Sequence, residues 1–287
     1  MGGVMIRGRN SLAIAVRKMD GSIDVSGRPL ASLYKGQWRE IPFIRGVMAL
    51  IEAVVLGTGA LMYSAQVSTE TEQEKITPGM IWGSLALGVV LAVALFFVLP
   101  LLAARVLDPF ISSAFISNLV EGLIRIIFFI VYLALIGRMQ DIQEIFAYHG
   151  AEHMSVNAYE AGVPLEVSSV RNYSTAHTRC GTSFLLVVLV ISIIVFALLG
   201  RPDIWISIIS RILLLPVIAA ISYELIKFEA NYSRNLLVHC LLTPGLWLQA
   251  MTTRRPSDSQ LEVAITAMKK ALETDGVIQA ETLTSAT

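Results

Sequence analysis

The residues best suited to carrying chemistry are the four histidines and two cysteines, which all fall within three short stretches of the chain. These stretches are 149–153, 177–180 and 239–240. Imidazole nitrogen and thiolate sulfur are the side-chain ligands that zinc and similar borderline metals bind most readily. The clustering therefore predicts one metal site to which several of these residues contribute.

The first stretch has the spacing of a metal site on a helix. His149 and His153 lie four residues apart, so both imidazoles point to the same side of a helix. Glu152 lies beside His153, within reach of a water on the metal. This H-x-x-E-H order is the inverse of the zincin motif, in which a metal polarises water and the glutamate accepts its proton. The alternative is that both histidines make buried polar contacts without a metal.

The helix that carries these residues is predicted over 141–160. Apolar residues recur there at helical spacing and place both histidines on the packed side: Ile142, Ile145, Phe146, Val156 and Tyr159. Gly162 and Pro164 mark the end of the helix. Gly150 lacks a side chain, so we expect another backbone to approach the helix at that point.

The remaining ligands have several candidates. His177 is the leading third ligand, and Cys180 follows it with His-x-x-Cys spacing. If both bind, four protein ligands close the site and a structural metal is expected; if only His177 or an acid such as Glu160 binds, a water fits and catalysis becomes possible. The alternatives are a small buried thiol for Cys180 and a solvated helix-end charge for Glu160. His239 and Cys240 are adjacent, so at most one is expected near the site.

The composition is that of an integral membrane protein. Of the 287 residues, 55% are hydrophobic and 15% are charged, and the formal net charge is zero. The expected partner is therefore the lipid bilayer and not nucleic acid, because no long basic run is present. The two cysteines lack the spacing of a disulfide framework.

Uncharged runs predict four transmembrane helices. A fifth apolar segment, 41–66, contains Arg45 and Glu52, and we interpret it as a helix at the membrane interface, with a full span as the alternative. The Glu121/Arg125 pair lies one helical turn apart inside a span, and structural ion pairing is the expected role of all four charges. The predicted spans are 80–104, 118–137, 182–200 and 204–226, the last tolerating Pro216.

Lysine and arginine are concentrated in the N-terminal part, in 138–181 and after residue 226. By the positive-inside rule, both termini and the 138–181 loop are predicted to be cytoplasmic. The expected domains are an N-terminal region 1–40, a membrane domain 41–250 that includes this loop, and a C-terminal region 251–287.

Two elements outside the membrane are also predicted. Alternating apolar residues on either side of Asp20-Gly21 indicate a small N-terminal β-hairpin. Residues 260–272 are expected to form a soluble helix, after a helix over 236–251 that is interrupted at Thr243-Pro-Gly. Residues 67–78 are expected to be an exposed loop, and the tail after Gly276 is expected to be disordered.

Several longer strings resemble the bacterial YqhQ family over nearly the whole chain. They are IPFIRGV at 41–47, YHGAEH at 148–153, HTRCGTSF at 177–184 and TPGLWLQ at 243–249. That family is a multi-pass membrane group of unassigned function described as predicted metal-dependent enzymes. The resemblance implies a bacterial cytoplasmic membrane location and a metal site at the matching residues His149, Glu152, His153, His177 and Cys180.

The sequence thus predicts a mainly α-helical membrane protein with about four spans, an interfacial helix and a small β-hairpin. The expected function is that of a divalent-metal-dependent hydrolase, with zinc as the favoured ion and Glu152 as the general base. The alternative is a scaffold or assembly factor for other membrane proteins with a structural metal. A transporter is a third possibility, for which charged or broken spans are expected and which Arg125, Arg211 and Pro216 support only weakly.

Overall fold

The computed structural model describes residues 2–32, 36, 40–69, 78–177, 180–200, 202–231 and 236–278. The strands are β1 (Gly3–Arg7), β2 (Ser11–Arg17) and β3 (Ile23–Pro29). The helices are α1 (Ile44–Thr69), α2 (Pro78–Val93), α3 (Leu99–Leu107), α4 (Ala114–Ile136), α5 (Gln140–Glu160), α6 (Val167–Val170), α7 (Gly181–Ala197), α8 (Ile204–Leu213), α9 (Leu215–Asn231), α10 (Leu236–Thr252) and α11 (Asp258–Thr274). A π-helical turn, Ala94–Val98, joins α2 to α3.

The predicted hairpin is confirmed as β2 and β3, and β1 extends it to a three-stranded antiparallel sheet in the order β1-β2-β3. Because side chains alternate along a strand, each side of β2 enters a different core. Ala13 and Ala15 pack on one side with α5 and α11, whereas Leu12 and Ile14 pack on the other side with α1. The central strand β2 is therefore buried on both faces.

The first of these cores holds α5 in place. It joins β1, β2, α5, α6 and α11, with Met154 of α5 and Leu261 of α11 almost fully buried. Parts that the charge pattern predicts to lie on one side of the membrane thus share one core. The division into regions 1–40, 41–250 and 251–287 stays a prediction.

The buried side of α5 differs from the predicted one. Ile145 is 54% exposed and Tyr159 is 40% exposed. The helix is instead buried along a side that carries Tyr148 and Met154 together with several small residues, among them Ala147, Ala151 and Ala158. Small side chains let the sheet and α11 approach closely, and they give a weaker sequence signal than isoleucine or tyrosine. The helix itself, predicted over 141–160, is confirmed.

Within the part of the chain that the structure describes, three helices are long and apolar enough to cross a membrane, and a bent pair could make a fourth: Ile44–Val67, Trp82–Phe110 and Ala114–Ile136, with Ile204–Leu213 and Leu215–Phe228 as the pair. The mainly α-helical membrane fold is thus confirmed. The predicted span 182–200 corresponds to α7, a shorter apolar helix of 17 residues.

Helix α1 satisfies the length and hydropathy of a span, and because it packs along α9 as well as on the sheet, the interfacial interpretation of 41–66 stays a prediction. Its Leu56 and Val67 pack on the sheet, and Glu52 forms an ion pair with Arg7 of β1 at 2.8 Å. The opposite side of α1 exposes apolar residues such as Leu61. A helix that packs on a sheet on one side and exposes apolar residues on the other can lie at the membrane interface, and α1 is also long enough to span the bilayer.

Two prolines act differently from the prediction. The predicted span 204–226 is broken into α8 and α9 with a bend of 45°, immediately before Pro216. The missing amide proton and the ring of proline disfavour a continuous helix there. In contrast, α10 continues through Pro244, so the predicted interruption at Thr243 is wrong.

In the expected loop 67–78, α1 runs to Thr69 and α2 begins at Pro78, whereas 70–77 lie outside the described residues.

The charges inside the spans pair with one another, as predicted, with one addition. Glu121 accepts a hydrogen bond from Arg125 at 2.6 Å and also binds Arg211 of α8, with Arg211 Nε donating to Oε1 at 2.8 Å. All three side chains are almost fully buried. The guanidinium of Arg125 also lies over the rings of Phe97 and Phe196. This cluster ties α4 to α8.

Candidate metal centre

The histidines of α5 are positioned by the close approach of another segment at Gly150. A Cβ at Gly150 would overlap the carbonyl oxygen of Arg254 and lie 3.2 Å from its carbonyl carbon. The Arg254 N–H also donates to Phe146 O at 2.9 Å. The predicted close approach at Gly150 is confirmed, and it brings the end of α10 against the helix.

Both imidazoles of α5 are oriented by backbone carbonyls. His149 Nδ1 lies 2.9 Å from Thr252 O, and His153 Nδ1 lies 2.6 Å from Thr175 O. Since a carbonyl only accepts, each Nδ1 must carry the donated proton. Histidine ligands of metals are commonly oriented in this way, which leaves Nε2 for the ion.

Cys180 completes the cluster from the start of α7. It is the N-cap of that helix, and its sulfur accepts a hydrogen bond from Thr182 N at 3.3 Å. His149 Nε2 lies 3.3 Å from Cys180 Sγ, and one ligand atom each from His149, His153 and Cys180 lie within 4.8 Å of one another. The two imidazole rings are 4.4 Å apart between centroids. Three of the four predicted ligands are therefore brought together.

The electrostatics of the cluster favour a thiolate beside an imidazolium in the metal-free protein. Burial raises the pKa of Cys180, but hydrogen bonds from His149 and His153 outweigh it and lower the pKa to about 5. Burial likewise lowers the pKa of His149, but its hydrogen bond to Cys180 and the charge of the thiolate outweigh burial and raise the pKa to about 9. The sulfur is thus already in the form that binds a metal.

Glu152 lies next to the cluster in partly buried surroundings. Burial raises the pKa of its carboxyl group, and the charges of His149 and His153 oppose this rise. A carboxylate whose proton affinity is increased in this way is better able to accept a proton from a metal-bound water.

His177, the predicted third ligand, lies at the margin of the cluster. Its ring centroid is 5.9 Å from that of His153, and its Nε2 is 3.5 Å from Glu160 Oε2. Its ligand atoms are not in the group formed by His149, His153 and Cys180. Metal binding by His177 stays a prediction. The side chains of His239 and Cys240 lie outside the described ones.

A residue that the sequence did not single out holds the loop that carries His177 in place. Gln249 of α10 is fully buried, and its amide accepts from His177 N at 2.9 Å and donates to His177 O at 2.8 Å. Asn157 of α5 donates to Ser174 O and Ala176 O in the same loop. The only available signal was the presence of Gln249 in the 243–249 string, which does not specify these contacts.

Comparison with known proteins agrees with the resemblance inferred from the sequence. A family described as "Protein of unknown function (DUF1385)" matches residues 41–274. The "Uncharacterized protein YqhQ" of Bacillus subtilis (strain 168) is 33% identical over 289 residues, which cover 96% of this chain and 91% of that relative. No solved structure matches the chain. The match over most of its length shows that the chain belongs to the DUF1385 family, which includes proteins similar to YqhQ.

Proposed function

We propose that this protein is a membrane-bound, divalent-metal-dependent hydrolase, with zinc as the favoured ion. The observation that carries the proposal is the convergence of one ligand atom each from His149, His153 and Cys180, with each Nδ1 held by a carbonyl. Two nitrogens and one sulfur form a ligand set typical of zinc.

The distances support a tetrahedral ion. With zinc bonds of about 2.0 Å to nitrogen and 2.3 Å to sulfur, the nitrogen–sulfur edge of a tetrahedron is about 3.5 Å. The corresponding distance between His149 Nε2 and Cys180 Sγ is 3.3 Å. All three ligand atoms lie within 4.8 Å of one another, so a movement of at most about 1.5 Å suffices to close the set around an ion.

Three protein ligands would leave one position for water, and Glu152 would then act as the general base. An ion held by His149, His153 and Cys180 would supply polarisation of a water and of a substrate carbonyl. Glu152 would accept the proton of that water and deliver it to the leaving group, whose bond to the carbonyl carbon breaks as the water oxygen adds. The membrane location suits a membrane-embedded peptide or a lipid as the substrate class.

A scaffold with a structural metal is the second candidate, and the position of His177 favours it. The 5.9 Å separation between the rings of His177 and His153 is small enough for a modest loop movement to supply a fourth ligand. A closed four-ligand site holds no catalytic water. In that case other membrane proteins would be the partners.

The location is part of the proposal. The lysine and arginine distribution supports an orientation in the bacterial cytoplasmic membrane with both termini on the cytoplasmic side. The common core of the N-terminal sheet, α5 and α11 supports the same placement, since these parts must lie on one side. The metal site would then face the cytoplasm.

The experiment is metal analysis of the purified full chain beside His149→Ala and Glu152→Gln. Wild type and Glu152→Gln should hold one ion per chain, and His149→Ala should hold much less. A panel of membrane peptides and lipid esters is then tested with the loaded proteins. Hydrolysis by wild type but not by Glu152→Gln supports an enzyme, whereas equal metal content without turnover supports the scaffold. If His149→Ala held one metal ion per chain, the assignment of His149 as a metal ligand would be wrong.

A further inference from the structure

A groove of about 650 Å³ lies between the start of α1 and the sides of α7 and α9. None of the described residues that line it belongs to α5. Ile191, near the middle of α7, and Ile221 of α9 form part of its apolar wall. Arg45, near the start of α1, and Lys227, near the end of α9, line its other end. The groove thus changes from apolar to charged from the middle of the helices to their ends.

The described side chains at the charged end carry one net positive charge, because Arg45 and Lys227 share the single acid Glu224. Arg45 Nε donates to Glu224 Oε1 at 2.7 Å, and a second guanidinium nitrogen contacts Oε2, so these two charges neutralise each other. Lys227 is exposed and has no hydrogen bond or salt bridge to any residue that the structure describes. An ammonium group at the end of an apolar groove is therefore left to bind an anion.

Phe43 forms part of the rim through the same carboxylate. Its backbone N–H donates to Glu224 Oε1 at 2.9 Å, and its φ of 65° lies in the left-handed region that phenylalanine rarely adopts. The ring is 56% exposed and lines the groove. Glu224 therefore holds both the Arg45 side chain and the Phe43 backbone in place at the rim of the groove.

We propose that this groove binds one anionic phospholipid of the surrounding bilayer. An acyl chain would lie along Ile191 and Ile221, and the phosphate would bind Lys227. The apolar wall lies on the apolar helix α7 and on α9, which is half of a bent candidate span, so acyl chains are the available apolar ligand. A single excess positive charge complements a headgroup with one net negative charge, such as phosphatidylglycerol, better than a zwitterionic headgroup. This proposal is independent of the metal site.

Native mass spectrometry of the full chain in detergent tests the proposal. The dissociation constant of the first bound phosphatidylglycerol is compared with that of phosphatidylethanolamine. For Lys227→Ala we expect phosphatidylglycerol to bind about fivefold more weakly, the equivalent of ~1 kcal/mol, and phosphatidylethanolamine to be unaffected. Ile221→Trp fills the groove and should weaken the binding of both lipids.

Two variants with the same substitutions elsewhere serve as controls. Lys269→Ala removes a charge from α11, and Ile206→Trp enlarges an exposed apolar residue of α8. Both should bind the lipids like wild type. Equal affinity of wild type and Lys227→Ala for phosphatidylglycerol would overturn the proposal. A dimer of the chain that Ile221→Trp abolishes would also overturn it, because a second copy would then occupy the groove.

Discussion

Replacing Gly150 by alanine tests whether the backbone of 252–254 holds the first histidine in place. The new methyl group would overlap Arg254 O by more than about 1 Å relative to the ordinary contact distance near 3.4 Å, so this segment must move away from α5. The hydrogen bond from His149 Nδ1 to Thr252 O, now 2.9 Å, would then break. Loss of such a supporting bond lowers metal affinity by about 10- to 100-fold.

The stability of Gly150→Ala should fall as well. Alanine favours a helix by ~1 kcal/mol over glycine, but overpacking costs about 1–3 kcal/mol and the bond from Arg254 N to Phe146 O contributes about 1 kcal/mol more. Gly57→Ala in α1 is the control, since nothing lies within 4 Å of a Cβ there. Chelator competition measures zinc affinity, and thermal unfolding measures stability. Wild-type zinc affinity and stability in Gly150→Ala would refute the positioning role of this segment.

Three further predictions concern charge, protonation and loop support. Glu121→Gln leaves two buried arginines without their acid and should lower the free energy of unfolding by about 3–5 kcal/mol. The control is Glu262→Gln, in an exposed ion pair with 52% of the acid accessible, which should lower it by under ~1 kcal/mol. Equal thermal midpoints of the two variants in detergent would contradict this prediction. Because the pKa of His149 is about 9 and that of Cys180 about 5, zinc must displace one proton between these values, so affinity should rise about tenfold per pH unit and level off near pH 9. Chelator titrations that show no change from pH 7 to 9 would oppose that. Gln249→Leu should weaken zinc binding about tenfold in the same titration, and unchanged affinity would show that its bonds to the loop do not support the site.

The parts of the fold that follow from local patterns were predictable. Four-residue spacing placed His149 and His153 on one helix, and the absence of a side chain at Gly150 anticipated the close approach of a backbone. The apolar runs at 80–104 and 118–137 correspond to long apolar helices. Each of these features depends on residues that are near neighbours in sequence.

The features that were missed depend on tertiary contacts. Any residue can offer a carbonyl, so nothing in the sequence marks Thr252 or Thr175 as the groups that orient the imidazoles. Arg211 joins Glu121 from a position 90 residues away, which only the packing of α8 against α4 reveals. The buried side of α5 was misassigned because its alanines carry little hydrophobic signal.

The most direct test of the account is the electronic absorption spectrum of the cobalt(II)-loaded full chain. Cobalt(II) takes the place of zinc, and its spectrum reports both coordination number and thiolate ligation. We predict the intense visible bands of a tetrahedral ion together with a thiolate-to-cobalt charge-transfer band that disappears in Cys180→Ser. A weak six-coordinate spectrum without a charge-transfer band in the wild-type protein would contradict the claim that His149, His153 and Cys180 bind one metal ion.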